Sequence, residues 1–126
     1  MEVEDFLARR WVRVFCDIGC EGIWDREGVP MELDDLLPLS DALKARVMAW
    51  QDWYEKDDAF ADPPVTIDWQ AFSEEGRQIA QAIKQALPDW TVIYFDEYRC
   101  RSLGPQAPRT SFEYEIHLTE TESPAA

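Results

Sequence analysis

Basic side chains are scarce in this chain of 126 residues: 12 Lys and Arg stand against 26 Asp and Glu, a formal charge of −14. A surface so poor in cations gains little from phosphates, because nucleic-acid affinity comes largely from neutralising them with Lys and Arg. Direct nucleic-acid binding is thereby excluded as a primary role, and anionic membrane surfaces are disfavoured for the same reason. Long apolar runs are missing as well, and none approaches the roughly 18 residues of a transmembrane helix. The start, Met1-Glu2-Val3-Glu4-Asp5, is acidic with no apolar run behind it, so no secretory leader is expected. Histidine occurs once, as His117, and cysteine three times, as Cys16, Cys20 and Cys100. The odd cysteine count argues against a disulfide framework and for a reducing, cytoplasmic setting. One imidazole and a Cys16/Cys20 pair four apart fall short of a zinc site's four close ligands, so neither metal nor cofactor is expected. Gly-rich phosphate loops, Walker patterns and metalloprotease helices are absent too.

Apolar area, by contrast, is plentiful. Hydrophobic residues make up 46% of the chain, with six Trp, six Phe and four Tyr. That is enough for the core of one domain of this length, expected over residues 1–120, with a flexible polar tail at 121–126.

Arg10 to Cys16 is rich in β-branched and aromatic residues and predicts a strand, with a shorter one over Glu21 to Asp25. Asp25-Arg26-Glu27-Gly28 has turn chemistry, and residues 29–40 read as irregular, broken by Pro30 and Pro38. Ser40 is a helix N-cap, followed by Leu43, Val47, Trp50 and Tyr54 on one helical face. Asp68 opens a second helix with the stripe Phe72, Gly76, Ile79, Ile83 and Leu87, closed by Pro88. Gly76 within that stripe implies a close approach by another backbone. Trp90 to Phe95 reads as a strand buried on both faces. Phe112, Tyr114, Ile116 and Leu118 alternate with Glu113, Glu115 and His117, the pattern of a half-exposed strand. The order ββααββ predicts an α+β two-layer sandwich: a small, mostly antiparallel four-stranded sheet with two helices on one face. About fourteen residues join the last two strands, far more than a hairpin needs.

The charge is unevenly placed. Residues 21–68 hold thirteen acids and four bases, −9, whereas residues 98–112 hold Arg99, Arg101 and Arg109 and no acid, +3. Glu32, Asp34 and Asp35 precede the first predicted helix; Asp52, Glu55, Asp57, Asp58 and Asp62 gather at its end. Crowded like charges oppose the compact state, more so at a helix C-terminus, where the dipole disfavours anions. Trp53 lies beside the core stripe, either as an aromatic anchor among carboxylates or as the rim of a wide core. These residues, with the three arginines reaching acids on a partner's rim, are the expected partner-binding set. The partner would be a basic protein, and the chain itself a monomer or weak dimer.

Catalytic residues are hard to assemble. His117 falls on the polar phase of its strand with no nucleophile beside it. Cys100 between Arg99 and Arg101 is expected to have a lowered pKa, though no histidine or helix N-terminus supports it. A compact acidic domain of this kind fits a non-catalytic protein that binds a basic one. Ile23-Trp24-Asp25-Arg26-Glu27-Gly28, then Leu37-Pro38-Leu39-Ser40 with Leu43, Arg46, Trp50 and Tyr54, resembles a pattern in small acidic bacterial proteins. Phe72, Glu75-Gly76-Arg77, Ala80, Leu87 and Trp90 continue the resemblance, which covers about residues 23–95. The group is similar in size, acidity and architecture to immunity proteins that neutralise bacterial toxins. The resemblance implies a toxin-neutralising inhibitor; the acidity adds the expectation that it occludes a positively charged, nuclease-type active site. A regulatory or scaffold module for another protein stays open beside it, and a small-molecule enzyme using Cys100 stands third.

Overall fold

The computed structural model describes residues 3–35 and 39–118. Leu37 and Pro38, and the tail expected at 121–126, lie outside the described residues. The chain runs α1 (Val3–Arg9), β1 (Trp11–Val14), β2 (Ile23–Trp24), β3 (Pro30–Met31), a 3-10 turn (Leu33–Asp35), α2 (Asp41–Tyr54) and α3 (Trp69–Ala86). It then continues through β4 (Thr91–Phe95), α4 (Glu97–Leu103), a second 3-10 turn (Arg109–Ser111) and β5 (Glu113–Glu115).

The architecture is α+β, with corrections to the expected form. The sheet has five strands in the order β3-β2-β1-β4-β5 rather than four, because Pro30–Met31 in the segment read as irregular pairs with β2. It is mixed: β1 and β4 run parallel at the centre, Val12 opposite Val92, while the other pairings are antiparallel. The parallel pair follows from connectivity, since α2 and α3 carry the chain back across the sheet before β4 enters beside β1. Helices number four among the described residues, not two. α1 precedes the first strand, and α4 occupies much of the long connection before β5.

Local signals explain most of these elements. Ser40 Oγ accepts from Leu43 N at 3.1 Å and Asp68 Oδ1 from Ala71 N at 3.1 Å, capping α2 and α3. The 25–28 turn forms as expected: Gly28 has φ +85°, and the buried Asp25 carboxylate accepts from Glu27 N and Val29 N. Phe72, Gly76, Ile79, Ile83 and Leu87 are all buried, so the α3 stripe faces the core. Burial alternates along β4: Val92 and Tyr94 are buried, whereas Thr91, Ile93 and Phe95 are only half-buried. The expectation of burial on both faces was therefore too strong, because helices cover one face of the sheet.

On that covered face Trp50 stacks on Phe72 with ring centroids 5.0 Å apart and donates its indole N–H to the Phe72 carbonyl at 2.9 Å. A Cβ at Gly76 would lie 2.4 Å from Trp50 Cζ2 and 2.6 Å from the Tyr94 hydroxyl. The close approach is thus made by two aromatic side chains and not by a backbone. Arg46 on α2 forks onto Glu75 on α3 at 2.9 and 2.8 Å, fixing the two helices side by side. The residues that carry the sequence resemblance (Asp25, Arg46, Trp50, Glu75, Gly76) thus hold the scaffold together.

Candidate partner-binding face

α2 is 14 residues long, about 21 Å at 1.5 Å per residue, and the two expected acidic groups sit at its opposite ends. At the start, Asp34 in the first 3-10 turn pairs with Lys44 at 3.5 Å; Glu32 is exposed and Asp35 partly covered. At the end stand Asp52, Glu55, Asp57, Asp58 and Asp62. None of these five forms an ion pair among the described residues, whereas Glu27, Glu74, Glu75, Glu97 and Glu113 each meet an arginine.

Two of the five also shape the backbone. Asp57 Oδ1 accepts from Ile67 N at 3.1 Å, and Asp58 Oδ1 accepts from Phe60 N at 2.9 Å. Glu55 accepts from the Gln51 amide at 2.8 Å, and that amide also donates to the Asp17 carbonyl at 2.6 Å, linking the helix end to the β1–β2 turn. Asp52 and Asp62 are exposed. Trp53 is half-buried with its ring edge-on to Phe72 at 5.6 Å, so one side of it belongs to the core rim.

The negative field here leaves its mark on neighbouring groups. Burial first, then the Glu97 and Asp17 charges, push the Tyr54 hydroxyl up to about 12. Cys20 is raised by burial and then by Asp17 and Glu55. Tyr54, Glu55, Asp57, Ile18, Trp69 and Arg101 line a shallow cleft beside the helix end, so the fold brings one expected arginine to the acidic group.

The arginines prove less available than a bare +3 segment implies. Arg101 pairs with Glu97 at 3.3 Å and lays its guanidinium over the Trp69 ring, 3.7 Å from the centroid. Arg109 binds Glu113 at 2.6 Å, and Arg13 reaches the same carboxylate at 3.2 Å from β1. Only Arg99 of the three has no carboxylate within 4 Å among the described residues, and it is exposed on α4.

Cys100 corrects an expectation. It lies within α4, whose N-cap Asp96 accepts from Arg99 N at 3.0 Å, and its thiol is raised rather than lowered. Burial is the main cause and Glu97 the second; the opposing pull of Arg101 and Arg109 is weaker, because both are already neutralised by glutamates. A cleft of about 470 Å³ lies between α3 and α4, and its polar groups serve local structure. Ser73 Oγ there accepts from Tyr98 N at 2.8 Å, and its carbonyl accepts from the Tyr94 hydroxyl at 2.6 Å. His117 is exposed, 3.9 Å from Glu115. Among the described residues no helix is long and apolar enough to cross a membrane, and no cluster of three His, Cys, Asp or Glu could hold a metal ion.

Sequence reasoning passed over two residues at the acidic end of α2. Phe60 is 99% exposed and Ile18 77% exposed, the two most exposed large apolar side chains among the described residues. Both sit in short turn-rich segments without periodicity, where the signal is only an apolar residue among turn formers.

No curated protein matches the chain. The profile of one family does, over residues 10–97, from the strand pair β1–β2 to the start of α4. Spanning more than two thirds of the sequence, that match means that the chain belongs to the Serratia CdiI immunity protein-like family.

Proposed function

We propose that this chain is a non-catalytic immunity protein that binds a basic toxin domain of the nuclease type and occludes its positively charged active site. Membership of an immunity protein-like family supports the toxin-neutralising role. The observation that carries the electrostatic reading is the set Asp52, Glu55, Asp57, Asp58 and Asp62, which form no ion pair among the described residues, whereas Glu27, Glu74, Glu75, Glu97 and Glu113 each meet an arginine. Uncompensated carboxylates steer a cationic partner and stand in for the phosphates of its substrate. A standard interface covers about 800 Å² on each partner, roughly 30 Å across. One toxin domain can therefore span α2 and meet Glu32, Asp34 and Asp35 at the other end. Trp53 stands at the rim of that surface, Arg101 lies in the cleft beside the acidic end, and Arg99 and Arg109 reach acids on the toxin's rim.

Asp57 and Asp58 anchor backbone amides, so reversing their charge mixes folding with binding. Asp52→Lys with Asp62→Lys is the cleaner test. Against a candidate toxin domain found in the genes beside this one, the double variant should associate about tenfold more slowly at low salt, with a flatter salt dependence. Association rates unchanged at low salt would remove this face from the interface.

A further inference from the structure

Phe60 is a large aromatic side chain left fully in water, and the backbone that presents it is tied down. Asp58 and Val65 exchange two backbone hydrogen bonds, N to O at 2.7 and 2.8 Å, closing residues 59–64 into a loop. Inside it the Asp58 carboxylate accepts from Phe60 N, and at its base the Asp57 carboxylate accepts from Ile67 N. Val65, 45% exposed, adds apolar surface at the closure, and Asp58 and Asp62 place carboxylates on both sides of the ring in sequence. Single exposed apolar residues are ordinary on protein surfaces. A fully exposed aromatic on a pre-ordered loop, beside carboxylates that form no ion pair among the described residues, is a different object. Ordering costs are already met before binding, and aromatic anchors ringed by polar groups dominate interface energies.

We infer that Phe60 is the apolar anchor of the interface, inserting into an apolar pocket of the toxin domain whose rim carries lysines or arginines. This rests on the proposed toxin-neutralising reading and adds to it the feature that holds the complex once charge has brought it together. The carboxylates beside the loop define the rim chemistry by complementarity. They also argue against a second copy of this chain as the occupant, since that would set one acidic cluster against another. Steering and anchoring then separate in kinetics, because rim charges act mainly on association and buried anchors on dissociation.

The test measures binding of the wild-type chain, Phe60→Ala, Phe60→Leu and Asp52→Lys/Asp62→Lys to the same candidate toxin domain. Phe60→Ala should keep the thermal stability of the wild type, since the ring touches solvent alone. It should raise the dissociation rate about 30-fold or more, shift association by no more than about threefold, and leave the salt dependence intact. Phe60→Leu should fall between. A dissociation rate unchanged in Phe60→Ala overturns the anchor, even if the charge reversal slows association as expected. Faster dissociation in Phe60→Ala with an unaffected charge-reversal variant keeps the anchor and removes the steering face. A wild-type chain that does not bind the domain overturns both. Loss of self-association by Phe60→Ala in the free protein, read by light scattering, assigns the loop to a homodimer and also overturns the proposal.

Discussion

Gly76 shows how one atom can govern the packing of a helix pair. Its hydrogen faces the Trp50 indole and the Tyr94 hydroxyl, and an added methyl would sit 2.4 Å from the first and 2.6 Å from the second. Alanine is the better helix former by about 1 kcal/mol, which on propensity alone would make Gly76→Ala stabilising. Overpacking opposes this, at typically about 1–3 kcal/mol. It should win here because neither ring can retreat: the indole N–H is bonded to the Phe72 carbonyl and the Tyr94 hydroxyl to the Ser73 carbonyl. Urea unfolding should therefore show Gly76→Ala less stable by about 1–2 kcal/mol with an unchanged slope. A stabilised variant would mean that the rings yield. The need for glycine was legible in the sequence, because a gap in an apolar stripe implies something close. What fills the gap was not, since periodicity identifies the face of a helix but not the atoms opposite it.

At the level of elements, legibility followed capping and periodicity. α2 and α3 could be placed from Ser40 and Asp68 together with their stripes, and both caps are formed. α4 could not, because it spans seven residues with no fully buried side chain, and its arginines read as a solvated loop. Asp96-Glu97 did carry a start signal, an acidic cap followed by an acid in the first turn, but without an apolar stripe nothing drew attention to it. The pairing of Arg101 with Glu97 was hidden for the same reason: it is an i, i+4 contact that exists only once the helix does. Glu97 supplies the test. Burial raises its pKa, and Arg101 offsets that only partly. The fold thus holds the Glu97 proton more tightly than the unfolded chain, so its contribution is full at low pH and is lost as pH rises through the raised value. Glu97→Gln does not titrate. Its melting temperature relative to wild type should become more favourable between about pH 4 and pH 7. A difference that moves the other way would show that the Arg101 ion pair outweighs the burial.

Over the whole molecule, one acidic cluster is asked to act in two opposed senses. In the free chain Asp52, Glu55, Asp57, Asp58 and Asp62 repel one another beside the negative end of α2, and with a net charge of −14 few cations are available to relieve them. In a complex with a basic domain the same charges become attractive. Segment-by-segment counting located this cluster without any structure, because charge position is linear information. The pairing of Arg13, Arg101 and Arg109 with glutamates, and the exposure of Phe60, depend on the folded structure and could not be counted. Salt distinguishes the two senses. Raising ionic strength from about 0.02 to about 0.3 M shortens the Debye length to well under 10 Å and screens exposed charges most. The melting temperature of the free chain should rise across that range, while its affinity for the toxin domain falls. Asp52→Asn with Asp62→Asn should shrink both responses together, raising low-salt stability and weakening low-salt binding. If the free chain's melting temperature proves indifferent to salt and to these neutralisations, the cluster carries no repulsive strain. Its lack of internal partners would then lose its value as a sign that a cationic partner completes it.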